Sequence, residues 1–284
     1  LAALKPEYTS SAGQILSLFS PGTTAPGEFT MGASRREPGR RANEVLHPVV
    51  LTRLFYFSHR EVSNAEFRKF RREHNSGRVE GNSLNRDRQP AVKITWAEAA
   101  LYCNWLSEQE KLPPFYAVQG GEVIGFDEDS HGYRLPSEAE WAWVARSSNQ
   151  GLLKYPWGEN YPPQDVVENY ADHSSAYITG RTVNGYNDSQ IVSAPTASFP
   201  ANYHGVYDMG GNVAEWVHDV YSLPDTKGVA VADPLGAQSG NNYVIRGASW
   251  AHGTVTELRL TFRDYGKAGR DDVGFRIARY AEER

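Results

Sequence analysis

The side chains with chemistry to offer are few and scattered. Cys103 is the only cysteine, so neither an intrachain disulfide nor a cysteine-based zinc site can form. It shares a helical face with Trp96, Ala100 and Leu106, the setting of a small buried apolar residue rather than a nucleophile. The eight histidines stand at 47, 59, 74, 131, 173, 204, 218 and 252, and no two are four residues apart. Zinc-protease and deaminase signatures are therefore missing, and no Gly-x-Gly-x-x-Gly or P-loop offers backbone amides to a phosphate.

The 284 residues carry 29 Lys plus Arg against 34 Asp plus Glu, a formal charge of −5. That balance argues against a general nucleic-acid or anionic-membrane binder, which keeps a basic footprint. No apolar run reaches the roughly 18 residues of a membrane span. No basic start followed by an apolar stretch marks a signal peptide. The chain begins at Leu1, and a processed or excised piece of a longer protein is the expectation. Hydrophobic residues make up 40% and charged residues 22%, which rules out wholesale disorder. Aromatics reach 12%, beside 26 Gly and 16 Pro, so short elements pinned by large rings are expected instead of a helical bundle.

Three helix starts are explicit. Ser63 with Glu66, Thr95 with Glu98 and Ser137 with Glu140 each have capping-box spacing, and an apolar run of helical period follows each. Residues 1–26 read as an N-terminal arm or linker. Residues 28–31 and 49–56 read as strands, and 34–44 as a solvated charged loop. Beyond Arg146 the pattern turns to short strands and long polar loops, of the kind that function or bound ions usually justify. Residues 27–284 are expected to form one domain, with no internal repeat or low-complexity tract.

A set of phrases runs through that domain in order. They include Gly27-Glu-Phe-Thr-Met-Gly32, Glu61-Val-Ser-Asn-Ala-Glu-Phe67, Gln89-Pro-Ala-Val-Lys-Ile-Thr-Trp96 and Tyr133-Arg-Leu-Pro-Ser-Glu-Ala-Glu-Trp141. Tyr155-Pro-Trp-Gly158, Gly205-Val-Tyr-Asp-Met-Gly-Gly-Asn-Val-Ala-Glu-Trp216, Arg246-Gly-Ala-Ser-Trp250 and Gly274-Phe-Arg276 follow. Together they resemble the formylglycine-generating enzyme, or sulfatase-modifying factor, family over residues 27–280 or so. The resemblance implies an α+β fold related to C-type lectins, with little regular structure and often with calcium.

The family's enzymes place two cysteines shortly after the Gly-x-Ser-Trp/Tyr phrase to bind copper(I), a soft-ligand preference. This chain has none between Ser249 and Arg263, so copper-dependent formylglycine formation is not expected. The three-histidine iron site of the family's sulfoxide synthases is missing as well. What the resemblance leaves is a candidate pocket of Ser249, Trp250, His252, Arg263 and Asp272. The simpler alternative for its charges is a structural network pairing Arg263 and Arg276 with Asp264 and Asp272.

Calcium is the metal the resemblance favours, since a hard cation takes about six to eight oxygens from carboxylates, amides and carbonyls. By motif, a first site would use Asn169, Tyr170, Asp188 and Gln190. A second would use Asp208, Gly211, Val213 and Glu215. The reading is a non-catalytic, calcium-stabilised binding or scaffold module of a bacterial envelope protein, periplasmic or extracellular, with a protein or peptide partner. The alternative is a cysteine-independent oxidase or peptide-modifying enzyme similar to the family's pyoverdine-maturation member.

Overall fold

The computed structural model describes residues 4–225 and 228–282. All three capping boxes are built. The hydroxyls of Ser63, Thr95 and Ser137 accept the N3 amides, and Glu66, Glu98 and Glu140 accept the N-cap amides in return. Each cap stabilises its helix by about 1 kcal/mol. They open α1 (Asn64–Phe70), α2 (Trp96–Gln109) and α3 (Glu138–Arg146). On α2 the face of Trp96, Ala100, Cys103 and Leu106 is buried, as the spacing predicts.

One four-stranded antiparallel sheet joins the two ends of the chain, in the order Glu7–Thr9, Ile15–Phe19, Phe55–Ser58, Ala278–Tyr280. Much of the expected arm is therefore sheet. Leu16 and Phe19 go into the core, and Phe19 stacks on Phe55 at 5.7 Å. The run Ile-Leu-Ser-Leu-Phe does not alternate apolar with polar residues, which hid its strand character. The expected strand at 49–56 divides into His47–Val50 and Phe55–Ser58, which belong to different sheets. The crossing is held by Asp233, which accepts the amides of Thr52 and Arg53 at 2.8 and 3.3 Å.

A second sheet orders Arg263–Gly266, Tyr243–Arg246, Ala214–Val220 and Val273–Phe275, the last pair parallel. Helix α3 packs on it through Trp141, and Trp141, Trp143 and Trp216 are among the largest fully buried side chains. Between residues 147 and 213 the chain is mostly loop, pinned by a cluster of Tyr155, Tyr170, Val183, Tyr186, Ala248 and Leu258. No helix among the described residues is long and apolar enough to cross a membrane.

Buried arginine–glutamate pairs tie distant phrases together. Arg134 holds Glu140 at 2.6 and 2.7 Å, and the same Glu140 closes the α3 capping box. Arg263 holds Glu138 at 2.6 and 2.9 Å. Such bidentate, charge-assisted pairs offset the cost of burying charge only because nearly every oxygen and N–H is matched.

Candidate functional site

The segment that follows the strand Tyr243–Arg246 turns at Gly247, whose φ of 82° suits a residue without a Cβ. A side chain there would also meet Trp141 at 3.1 Å. The turn buries Ser249 and Trp250. Ser249 Oγ donates to Asp272 Oδ2 at 2.9 Å and accepts the Ala251 amide at 3.2 Å. Arg270 donates to both oxygens of Asp272, at 3.0 and 3.1 Å. Burial works to raise the Asp272 carboxyl, yet Arg270, with His252 and the Ser249 hydroxyl, holds it below its usual range.

His252 Nδ1 accepts the Ser249 amide at 3.0 Å, so the ring proton lies on Nε2, which stands 3.9 Å from Asp272 Oδ2. A serine activated as a nucleophile needs a base to take its hydroxyl proton. Here the hydroxyl gives its hydrogen to a carboxylate held low by arginine, and the imidazole turns its lone pair to the backbone.

Of the five candidate pocket residues, Ser249, His252 and Asp272 meet. Trp250 packs instead with Leu84, Val92, Val192 and Val213. Arg263 belongs to another cluster, bonded to Glu138 and to the carbonyls of Asn43 and Ser222. The expected pairing of Arg263 and Arg276 with Asp264 and Asp272 is corrected. Glu138 and Glu215 take the two arginines, and Arg270 takes both aspartates. The partners are far apart in sequence, so nearest-neighbour reasoning chose the wrong ones. Cavities of about 900 and 560 Å³ open elsewhere, lined by none of the five residues.

Of the first expected calcium set, Asp188 lies against the backbone of Tyr170 and Gln190. Asp188 accepts the amides of Tyr170 and Gln190, each at 2.8 Å. Burial, with Asp172 nearby, pushes the Asp188 carboxyl up to about 7. Asn169 donates to the Val192 carbonyl at 3.0 Å and to Asn212 Oδ1 at 3.1 Å, which leaves its own Oδ1 buried without a partner. An orphaned buried acceptor costs about 1–3 kcal/mol, so this oxygen suits a hard cation.

The residues of the second expected set have different partners. Asp208 Oδ2 accepts the Ala197 amide at 2.7 Å, and Oδ1 is buried and unpartnered. Gly211 lies so close to Glu168 that a Cβ there would come within 2.7 Å of the Glu168 Cβ. Glu215, however, is engaged by Arg276 through both oxygens and by Trp141. Sequence reasoning missed Glu61 and Glu168. Both are buried, each leaves an Oε2 unpartnered, and burial followed by the nearby Asp208 carboxylate pushes each well above the usual range. Among the described residues no group of three acidic, histidine or cysteine side chains could hold a metal. A cation at either set would therefore depend on carbonyl and amide oxygens. Cys103 is fully buried on α2, and burial pushes its thiol far up.

Comparison with known proteins identifies the relationship. Residues 21–281 match the model of the sulfatase-modifying factor enzyme 1-like domain. The formylglycine-generating enzyme of Streptomyces coelicolor is 28% identical over 69% of this chain and 54% of its own. The serine/threonine-protein kinase Pkn1 of Chlamydia trachomatis is 28% identical over 89% of this chain but 37% of its own. The bovine inactive C-alpha-formylglycine-generating enzyme 2 is 28% identical over 66% of this chain and 50% of its own. The chain thus spans a third to a half of these relatives. Among solved structures, PvdO from Pseudomonas aeruginosa superposes with a TM-score of 0.70 at 25% identity, covering 98% of this chain and 100% of that one. The Treponema denticola variable protein 1 gives 0.71 at 23% identity over 96% and 98%, a likeness of fold alone. By its family match, its single-domain α+β fold and its lone buried cysteine, the chain belongs to the sulfatase-modifying factor family as a member without the catalytic cysteine pair.

Proposed function

We propose that this chain is a non-catalytic binding or scaffold domain of its family, ordered by calcium and engaging a protein or peptide partner. One observation carries the reading. The segment from Ser249 to Arg263, where the family's enzymes keep a cysteine pair, has no cysteine, and the polar side chains beside it are spent on one another, Ser249 on Asp272 and Asp272 on Arg270. The bovine relative described as inactive supports a family that can lose its chemistry. The kinase relative supports a module carried within larger proteins. A bacterial envelope protein, with this domain in the periplasm or outside the cell, is the setting we infer.

Calcium would be held by Asn169 Oδ1, Asp188 and the carbonyls of Tyr170 and Gln190. A second ion would take Asp208 with the carbonyls of Gly211 and Val213. A bound ion supplies fixed positive charge, which orders loops. The residues would do the remainder by presenting oxygens, of which Asn169 Oδ1 and Asp208 Oδ1 are buried without a hydrogen-bond donor. The test is incubation of the purified protein with a cysteine-bearing sulfatase peptide, copper and oxygen. No aldehyde is expected, and aldehyde formation would overturn the reading.

A second reading is an oxidase acting on a peptide-borne group, as a PvdO-like protein. The near-complete superposition on PvdO favours it, together with His252 Nε2, which hydrogen-bonds no described residue. It requires oxygen consumption that His252→Ala removes while the fold survives.

A further inference from the structure

The cavity of about 560 Å³ lies between the hairpin strand Glu122–Phe126, the end of Ala214–Val220 and the loop at 235–240. Its volume is in the range of small-ligand sites, roughly 300–1,000 Å³. It shares no residue with the Ser249 cluster or with either calcium set.

His218 forms part of its lining although it is itself only 3% exposed. The rings of Phe126, Phe115 and Tyr116 frame the imidazole at 4.6, 5.5 and 5.6 Å. Its Nδ1 lies 3.1 Å from the Tyr116 hydroxyl, which already accepts the Leu135 amide at 3.2 Å. The phenol has one hydrogen to give, and Nδ1 is the acceptor within reach. The imidazole proton is thereby assigned to Nε2. No described residue hydrogen-bonds Nε2, so a neutral N–H donor is available to the cavity. Burial, helped by Arg134, pushes the His218 pKa down to about 3, so the ring stays uncharged at any physiological pH.

The rest of the lining narrows the ligand. Glu128 is the one charged side chain in the lining, and no described Lys or Arg lines the cavity, so an anion has no cationic partner. Glu128 is exposed, so its carboxylate stays solvated, and the buried part of the wall offers an N–H donor that a cation cannot use. Trp96 and Tyr243 stack at 3.7 Å with planes 7° apart, and with Phe126 and Leu235 they give an aromatic and apolar patch within a lining that is otherwise mostly polar. Gln238 and Ser239 add polar edges. A neutral ring with apolar C–H faces and hydroxyl edges matches both kinds of wall.

We propose that this cavity binds an uncharged sugar residue, with a ring oxygen or hydroxyl accepting from His218 Nε2 and a ring face against the aromatic wall. The site goes beyond the scaffold reading and stands whether or not calcium binds.

Gly125 supplies a clean test. It lines the cavity, a Cβ there meets nothing within 4 Å, and its backbone is not in the left-handed region, so Gly125→Leu adds bulk at the cavity wall without disturbing the packing. The experiment titrates the full chain with the methyl glycosides of glucose, galactose, mannose and N-acetylglucosamine. Saturation-transfer NMR and tryptophan fluorescence read the binding, up to about 50 mM, where a site of millimolar Kd is well filled. At least one glycoside is expected to bind saturably. Gly125→Leu should abolish that binding at an unchanged melting temperature, and His218→Phe should weaken it about tenfold, the effect of one lost hydrogen bond. Absence of binding for all four glycosides, or undiminished binding in Gly125→Leu, would overturn the proposal.

Discussion

Arg276 grips the Glu215 carboxylate through two hydrogen bonds of 2.7 and 2.8 Å, and Trp141 Nε1 donates to the same carboxylate at 2.9 Å. Three phrases far apart in the chain thus meet in one buried knot between α3 and the second sheet. Arg276 also donates to the carbonyls of Ser58 and Tyr207, reaching the first sheet. Removing one partner strands the other charge away from water. Arg276→Ala and Glu215→Gln are each expected to cost about 3–5 kcal/mol, measured by urea denaturation. A loss below 1 kcal/mol would mean that the pair is replaceable.

Cys103 offers a sharper contrast with the enzymes of the family. Its thiol is buried and pushed far above its ordinary range, and the thiolate is the reactive form. The native protein is expected to leave a colorimetric thiol reagent unreacted for hours, and to release one equivalent only in denaturant. Rapid labelling of the folded chain would place the sulfur elsewhere.

His204 gives a pH prediction with a definite sign. It stacks on Trp143 at 4.8 Å and bonds Ser147 Oγ at 2.7 Å, and burial pushes its pKa down to about 4. The folded state therefore resists protonation, while the unfolded chain takes the proton near pH 6.5. Stability from this residue is full above pH 6.5 and declines as pH falls towards 4. Relative to His204→Gln, the native protein should lose stability across that window, by at most about 1.4 kcal/mol per pH unit. The difference between the two should be flat above pH 7. Parallel curves throughout would show that His204 titrates normally in the fold.

The orphaned oxygens of Asn169 and Asp208 predict a response to calcium. A chelator should lower the melting temperature, and added calcium should restore it. An excess of about 100-fold over Kd corresponds to roughly 2.7 kcal/mol. Asp188→Asn and Asp208→Asn should each blunt the response. A melting temperature indifferent to both chelator and calcium would mean that the loops order themselves.

The helices were legible because a capping box is local, with both partners three residues apart. The family phrases were legible for the same reason. Ion-pair partners were not, since Arg276 finds Glu215 across 61 positions and Arg263 finds Glu138 across 125. Arg270 lies only two residues before Asp272, so that pairing is a local one. Glu61 and Glu168 gave none, because their importance is burial, which only the fold creates. Glu7–Thr9 was hidden by its length of three residues, and Ile15–Phe19 by its pattern, since Ile-Leu-Ser-Leu-Phe does not alternate apolar with polar.

The central claim is that this domain binds without redox chemistry. The most direct measurement is the metal content of the purified protein by elemental analysis, after dialysis against calcium-containing buffer. The account predicts about one or two calcium ions per chain and only trace copper and iron. Copper or iron at one per chain, retained through gel filtration, would contradict it.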